Sequence, residues 1–207
     1  MNLSVTDVRQ LNDRFRELPP EEIIRKAIGL GGKSVLSTNF RPYEVAILHA
    51  VNSVMPEIPV IWCDTGYNTP DTYRHAEKLI NKFNLNIKLY VPQQTRAYRE
   101  MLMGIPEIDD PNHAIFTEQV KLEPFKRAMM EHQPDIWFTN LRKGQTTLRD
   151  TLDIFSLSNT GVLKVSPFYH WSDARLDTYI NKRGLTDEFR YFDPTKVLGN
   201  RECGLHT

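Results

Sequence analysis

The stretch "KSVLSTNFRPYEVAILHAVNSV" (33–54) decides the fold. It opens with a short apolar run rich in β-formers and passes through a polar turn. Its apolar positions then recur at helical spacing, so it reads strand, turn, helix. The same grammar repeats downstream. "IPVIWC" (58–63) reads as a buried strand ending at "DTGYNTP". Pro70 then opens a helix over "DTYRHAEKLINKF", with Asn68 or Thr69 as its cap. Further strands are expected at "NIKLYV" (86–91), "DIWFTN" (135–140) and "VLKVSP" (162–167), with helices at "LEPFKRAMMEH" and "SDARLDTYINKRG". This alternation predicts an α/β fold layered around a mostly parallel sheet. Ligands of such sheets bind beyond the carboxyl ends of the strands. Three polar turns are therefore singled out: Ser37-Thr38-Asn39, Asp64-Thr65-Gly66 and Asn140-Leu141-Arg142.

The chain has 207 residues, with 26 Lys+Arg balanced by 26 Asp+Glu. It has neither internal repeats nor linkers and is expected to form a single domain. A net charge of zero excludes the broad basic field of a non-specific nucleic-acid binder, so an anionic ligand must meet a local basic cluster. No apolar run approaches the length of a membrane span and "MNLSVTDVRQ" lacks signal-peptide character, so a cytoplasmic protein is expected. The two cysteines, Cys63 and Cys203, are too few for a four-thiolate metal or iron–sulfur site, and no metal is expected.

Within the candidate motifs, "GLGGKS" (29–34) fails as a phosphate loop: Ala27 stands where glycine is required, and the segment precedes a strand instead of following one. It reads as a helix C-cap and turn. "STNFRPYE" (37–44) follows the first strand and opens a helix, a place where backbone N–H groups and the helix dipole favour an anion. "NLRKGQTTLRD" (140–150) clusters Arg142, Lys143 and Arg149 with Gln145, and guanidinium forks match phosphate or sulfate oxygens in pairs. Cys63 ends an apolar strand and reads as a core residue. Cys203, in "GNRECGLHT" (199–207), sits among polar neighbours. Arg201 and His206 favour a thiolate there, Glu202 opposes it, and Gly204 gives backbone freedom.

Taken together, these segments resemble the phosphoadenosine phosphosulfate (PAPS) reductase family of assimilatory sulfate reduction. "RECGLH" (201–206) matches the family's catalytic ECGLH motif, and "DTGY" with "PDTYR" its second-strand segment. "KLEPF" (121–125) matches its K-x-EP stretch, which adds Lys121 to the candidates. "NLRKGQTTLR" is similar to its arginine-rich phosphate-binding segment, and "LKVSPFYHW" to its K-V-x-P-x-x-x-W. The likeness runs in order from about residue 20 to the end. Departures are Arg41 where the phosphate loop usually carries glycine, Asn140 and Gly144 in the arginine segment, and a shorter stretch between Gly184 and Arg201.

The resemblance implies a Rossmann-like, mostly parallel sheet with helices on both faces, of the adenine-nucleotide α-hydrolase (PP-loop) type. Residues 185–207 would form a C-terminal arm carrying the reactive thiol. Cys203 would attack the sulfuryl sulfur, with His206 holding the thiolate or orienting the tail. Ser37, Thr38, Asn39, Arg41, Asp64, Thr65, Gly66, Lys121, Arg142, Lys143, Gln145 and Arg149 would bind the substrate. PAPS is the expected substrate and adenylyl sulfate the alternative. The partner is thioredoxin or glutaredoxin as external reductant, there is no iron–sulfur cluster, and a homodimer is expected from family habit. Two rival readings are a nucleotide-binding module that has lost catalysis and an ATP pyrophosphatase-type adenylating enzyme. "STNFRPY" lacks the glycines and Lys-Asp pair of the latter's SGGKDS-like loop.

Overall fold

The computed structural model describes residues 3–196 and Gly204. Six strands form one sheet in the order β3-β2-β1-β4-β6-β5. They are β1 (Ser34–Thr38), β2 (Val60–Cys63), β3 (Ile87–Tyr90), β4 (Ile136–Phe138), β5 (Phe155–Leu157) and β6 (Leu163–Val165). All neighbours run parallel except β5 on β6. The chain steps outward from β1 through β2 to β3, then returns to β4 on the other side of β1. The strand order therefore reverses between β1 and β4, which is where a crevice opens in such sheets.

Successive side chains of a strand face opposite sides, so each strand feeds two cores. On one side Leu36, Val60, Ile136, Phe138, Leu163 and Val165 pack in the main core. The helices α1 (Val5–Phe15), α2 (Pro20–Ile28), α3 (Glu44–Val54), α4 (Pro70–Phe83) and α9 (Asp173–Lys182) bury their apolar positions in this core. On the other side Val35, Ile61, Cys63, Tyr90 and Trp137 meet Phe125 and Ala128 of α7 (Glu123–His132). Helices thus cover both faces, as the resemblance implied.

Local chemistry sets most boundaries. Thr69, with β-region backbone, accepts from the Thr72 N–H at 3.1 Å, and Pro70 occupies the first helical turn of α4. "GLGGKS" is the C-cap of α2 and the turn into β1. Gly32 there has φ +93°, and a Cβ on it would stand 2.6 Å from Asp135 Oδ2, the acceptor for the Lys33 N–H. That close approach requires glycine.

The antiparallel edge strand β5 has no counterpart in the sequence reading. It is three residues long and its backbone is clamped from α1: Asn12 Nδ2 donates to Phe155 O and Asn12 Oδ1 accepts the Phe155 N–H, both at 2.9 Å. Two short helices, α5 (Arg96–Met103) and α6 (Asn112–Thr117), and a five-residue π-helical turn (Glu118–Leu122) lead into α7. A last short helix, α8 (Thr147–Asp150), follows β4. After α9 the chain turns back across the carboxyl ends of the strands as a strap, residues 185–196.

Candidate active site

A cleft of about 640 Å³, counting its solvent-open mouth, lies at the β1/β4 reversal. Ser37, Thr38, Asn39 and Arg41 from the β1–α3 turn line one wall, and Thr139 and Arg149 come from beyond β4. Ile61, Cys63 and Phe125 form apolar lining, while Lys121 and the strap residues Tyr191, Asp193 and Lys196 complete it. Four cationic side chains, Arg41, Lys121, Arg149 and Lys196, face two carboxylates, Glu44 and Asp193. The cleft therefore favours an anion, in a chain whose overall charge is zero.

The β1–α3 turn is organised by Glu44, which is 5% exposed. Its Oε2 accepts from Thr38 Oγ1 and from the Asn39 N–H, each at 2.7 Å, and its Oε1 accepts from Arg41 Nε at 2.9 Å. A carboxylate at the first turn of α3 also suits the helix dipole. The expectation that this turn offers its N–H groups to a ligand anion is thereby modified, because Glu44 already holds the Asn39 amide. Arg41 does not need a glycine's conformation. The left-handed positions of the turn are Phe40 (φ 53°) and Tyr43 (φ 68°). The Arg41 guanidinium also donates to Asn140 O at 3.0 Å, tying the ends of β1 and β4 together. Ser37 Oγ accepts from Trp137 Nε1 at 2.7 Å.

In the β2–α4 turn, Asp64 Oδ1 accepts from the Gly66 N–H, Asn68 Nδ2 and Tyr73 OH, each at 2.9 Å. Burial and the bond to Asp64 push the Tyr73 phenol up to about 12, so it remains a donor. Gly66 takes φ +80°, the conformation this tight turn requires. Asp64 and Gly66 shape the turn and stand back from the cleft lining. Thr65 lines a small recess beside it with Asn39, Cys63, Lys121 and Asp193.

The arginine segment divides in two. Arg149 is 2% exposed and enters the cleft; Gln145 Oε1 accepts from its guanidinium and from the Arg142 N–H. Arg142 turns into an adjoining cavity, with its guanidinium 4.9 Å from the Tyr43 ring and an ion pair to Asp173. Gln145 lines the same cavity. Lys143 is exposed and lines neither space, so the structure does not gather it with the other cations. Lys121, from the π-helical turn, is 2% exposed and pairs with Asp193; its Nζ also donates to Thr195 Oγ1 at 3.3 Å. Burial pushes the Cys63 thiol up to about 12, which favours the neutral thiol and opposes a nucleophilic role for this cleft-lining residue. No group of three or more His, Cys, Asp or Glu side chains that could hold a metal occurs among the described residues.

Residues 33–203 match the family described as the phosphoadenosine phosphosulfate reductase domain. The chain belongs to this family. A curated relative, phosphoadenosine 5'-phosphosulfate reductase of Klebsiella pneumoniae, is 33% identical over 95% of this chain and 90% of its own length. Phosphoadenylyl-sulfate reductase from Candida auris, solved as a phosphate complex, superposes with a TM-score of 0.79 over 90% of both chains at 23% identity. The NH3-dependent NAD synthetase of Campylobacter jejuni shares the fold alone, with a TM-score of 0.57 at 10% identity over 88% of this chain and 76% of that one. The mostly parallel sheet covered by helices on both faces is the fold these structures share with the chain.

Cys203 and His206 lie outside the described residues. Glu44, Thr139, Tyr191, Asp193 and Lys196 are cleft residues that the sequence reading missed. Glu44 lay within the quoted turn "STNFRPYE", but an acid at a helix start carries no sign that it will fold back to hold the turn. The strap residues carried only a weak local signal, the turn-forming "DPT" (193–195).

Proposed function

We propose that this chain reduces PAPS to sulfite and adenosine 3',5'-bisphosphate, with Cys203 as the nucleophile. The observation that carries the reading is the cationic cleft at the strand-order reversal of a chain matched to this family through Cys203. The Cys203 thiolate attacks the sulfuryl sulfur, forming an S–S bond as the bond from sulfur to the bridging phosphate oxygen breaks. The electron pair leaves with that oxygen on the bisphosphate. A dithiol protein of the thioredoxin or glutaredoxin type then attacks Cys203 Sγ, sulfite departs, and the second thiol of that protein closes its own disulfide. Two electrons pass from dithiol to sulfur, and Cys203 ends as a thiol again.

Arg149, Lys121, Arg41 and Lys196 supply positive charge where the phosphosulfate carries negative charge. Cys63, held as a neutral thiol, takes no part. A free-thiol enzyme that draws on dithiol proteins fits a reducing cytoplasm.

Sulfite release from PAPS in the presence of thioredoxin tests the reading. The wild-type chain should turn over, and Cys203→Ser should abolish turnover while still binding adenosine 3',5'-bisphosphate. Persistent turnover in Cys203→Ser would overturn the assignment. Arg149→Ala should weaken that binding by about 1–3 kcal/mol, the worth of a charge-assisted bond to a phosphate.

A further inference from the structure

The strap forms one wall of the cleft, and its residues 193–195 are held by two other elements and by bonds among themselves. Asp193 forms a buried ion pair with Lys121 of the π-helical turn. Asp193 Oδ1 accepts from the Thr195 N–H at 3.0 Å and from Thr195 Oγ1 at 2.6 Å. His113 of α6, 2% exposed, places its Nε2 3.3 Å from Pro194 O. Upstream, the strap is tied by Tyr43 N–H to Asp187 Oδ2 (2.6 Å), by Thr69 Oγ1 to Arg190 O (2.8 Å), and by the Phe189 ring against Tyr43.

A charged pair removed from water is a poor source of stability compared with an apolar pair of the same volume; what it fixes well is register. The register fixed here is that of residues 193–195, from which the sequence continues to the thiol. Cys203 follows Asp193 by ten residues, a tether that spans at most about 35 Å when extended. If the root of that tether wandered, the thiol would be diluted over a larger volume and its approach to sulfur would lose alignment.

We infer that Asp193 is a positioning residue for the reaction: latched to Lys121, it roots the Cys203 tail at the wall of the cleft. This rests on the function proposed above. It assigns Asp193 no contact with the reacting sulfur. Lys121 thereby serves the delivery of the nucleophile as well as the charge of the cleft.

The test compares wild type, Asp193→Asn and Asp193→Glu in two measurements. The first is amide hydrogen exchange across 188–196, which needs no turnover. Asp193→Asn should speed exchange there by about tenfold or more while α3 and α9 keep their protection. The second is the single-turnover rate of Cys203 sulfonation by PAPS, set beside affinity for adenosine 3',5'-bisphosphate. The rate should fall by about tenfold or more while the affinity, relieved of one negative charge in the cleft, does not fall. Asp193→Glu, which keeps the charge, should recover part of the rate. Unchanged strap exchange in Asp193→Asn would overturn the latch. Faster exchange with an unchanged sulfonation rate would overturn the positioning role alone. A wild-type chain that binds the nucleotide yet never sulfonates would overturn the proposed function, and the positioning role with it.

Discussion

The two ends of the strap each bury an aspartate, and the two behave oppositely. Asp193 meets the Lys121 ammonium. Its burial favours the neutral acid, but Lys121 and the Thr195 donors outweigh that and hold its pKa below the ordinary value. Among the described residues, Asp187 meets no such cation. Burial dominates and pushes it from 3.8 up to about 6, although the Tyr43 and Glu188 N–H groups pull the other way. His75 lies 3.9 Å from Asp187, but burial lowers the imidazole pKa, so it is neutral at pH 7 and offers no counter-charge. One residue type in one twelve-residue strap thus serves as a charged latch at one end and a weakly acidic tether at the other. The difference lies in the partner, because depth of burial is similar.

The sharpest way to break the contrast is to remove the cation. Lys121→Met leaves Asp193 buried and unpaired, and should cost about 3–5 kcal/mol of stability in urea unfolding. Lys121→Met combined with Asp193→Leu should regain most of that loss. If the double variant were as unstable as the single, the pair would not be the unit that matters.

The pH dependence separates the two ends. Unfolded, Asp187 loses its proton near 3.8, whereas folded it keeps the proton to about 6. Between those values folding takes up a proton, so this group favours the folded state most below about pH 4 and that contribution is lost as pH rises through 6. The loss is on the order of 3 kcal/mol for a shift of this size. Asp193 runs the other way, its contribution being present above 3.8 and lost as pH falls below that. Asp187→Asn should therefore flatten the fall in stability between pH 4 and 7, as followed by urea unfolding across that range. Identical slopes in wild type and variant would contradict the assignment.

A smaller effect is expected at the middle tether. Thr69 Oγ1 both caps α4 and donates to Arg190 O. Thr69→Ala should cost about 1–2 kcal/mol and Thr69→Ser less, measured by urea unfolding. Equal losses in the two variants would show that the hydroxyl is not the tether.

What the sequence disclosed and what it concealed follow from the range of the interactions. The strand–turn–helix units at 33–54 and 58–83 were legible because Pro70, Thr69 and the apolar periodicity act within a few residues. Polar turns after the strands were the places singled out, and Ser37, Thr38, Asn39 and Arg149, named from them and from the 140–150 segment, line the cleft. Strand β5 was concealed because Asn12 holds it from 143 residues away. Asp193 was concealed for the same reason, since Lys121 lies 72 residues before it. Lys143 sits beside Arg142 in the chain, but the turn directs it to solvent, away from the cleft.

Intact-protein mass spectrometry of the reduced chain mixed with PAPS, with no dithiol protein present, would catch the sulfonated intermediate itself. One sulfonate should be gained, located on Cys203 by fragmentation and absent from Cys63. A protein that binds adenosine 3',5'-bisphosphate but gains no sulfonate, or gains it on Cys63, would contradict the proposed reaction.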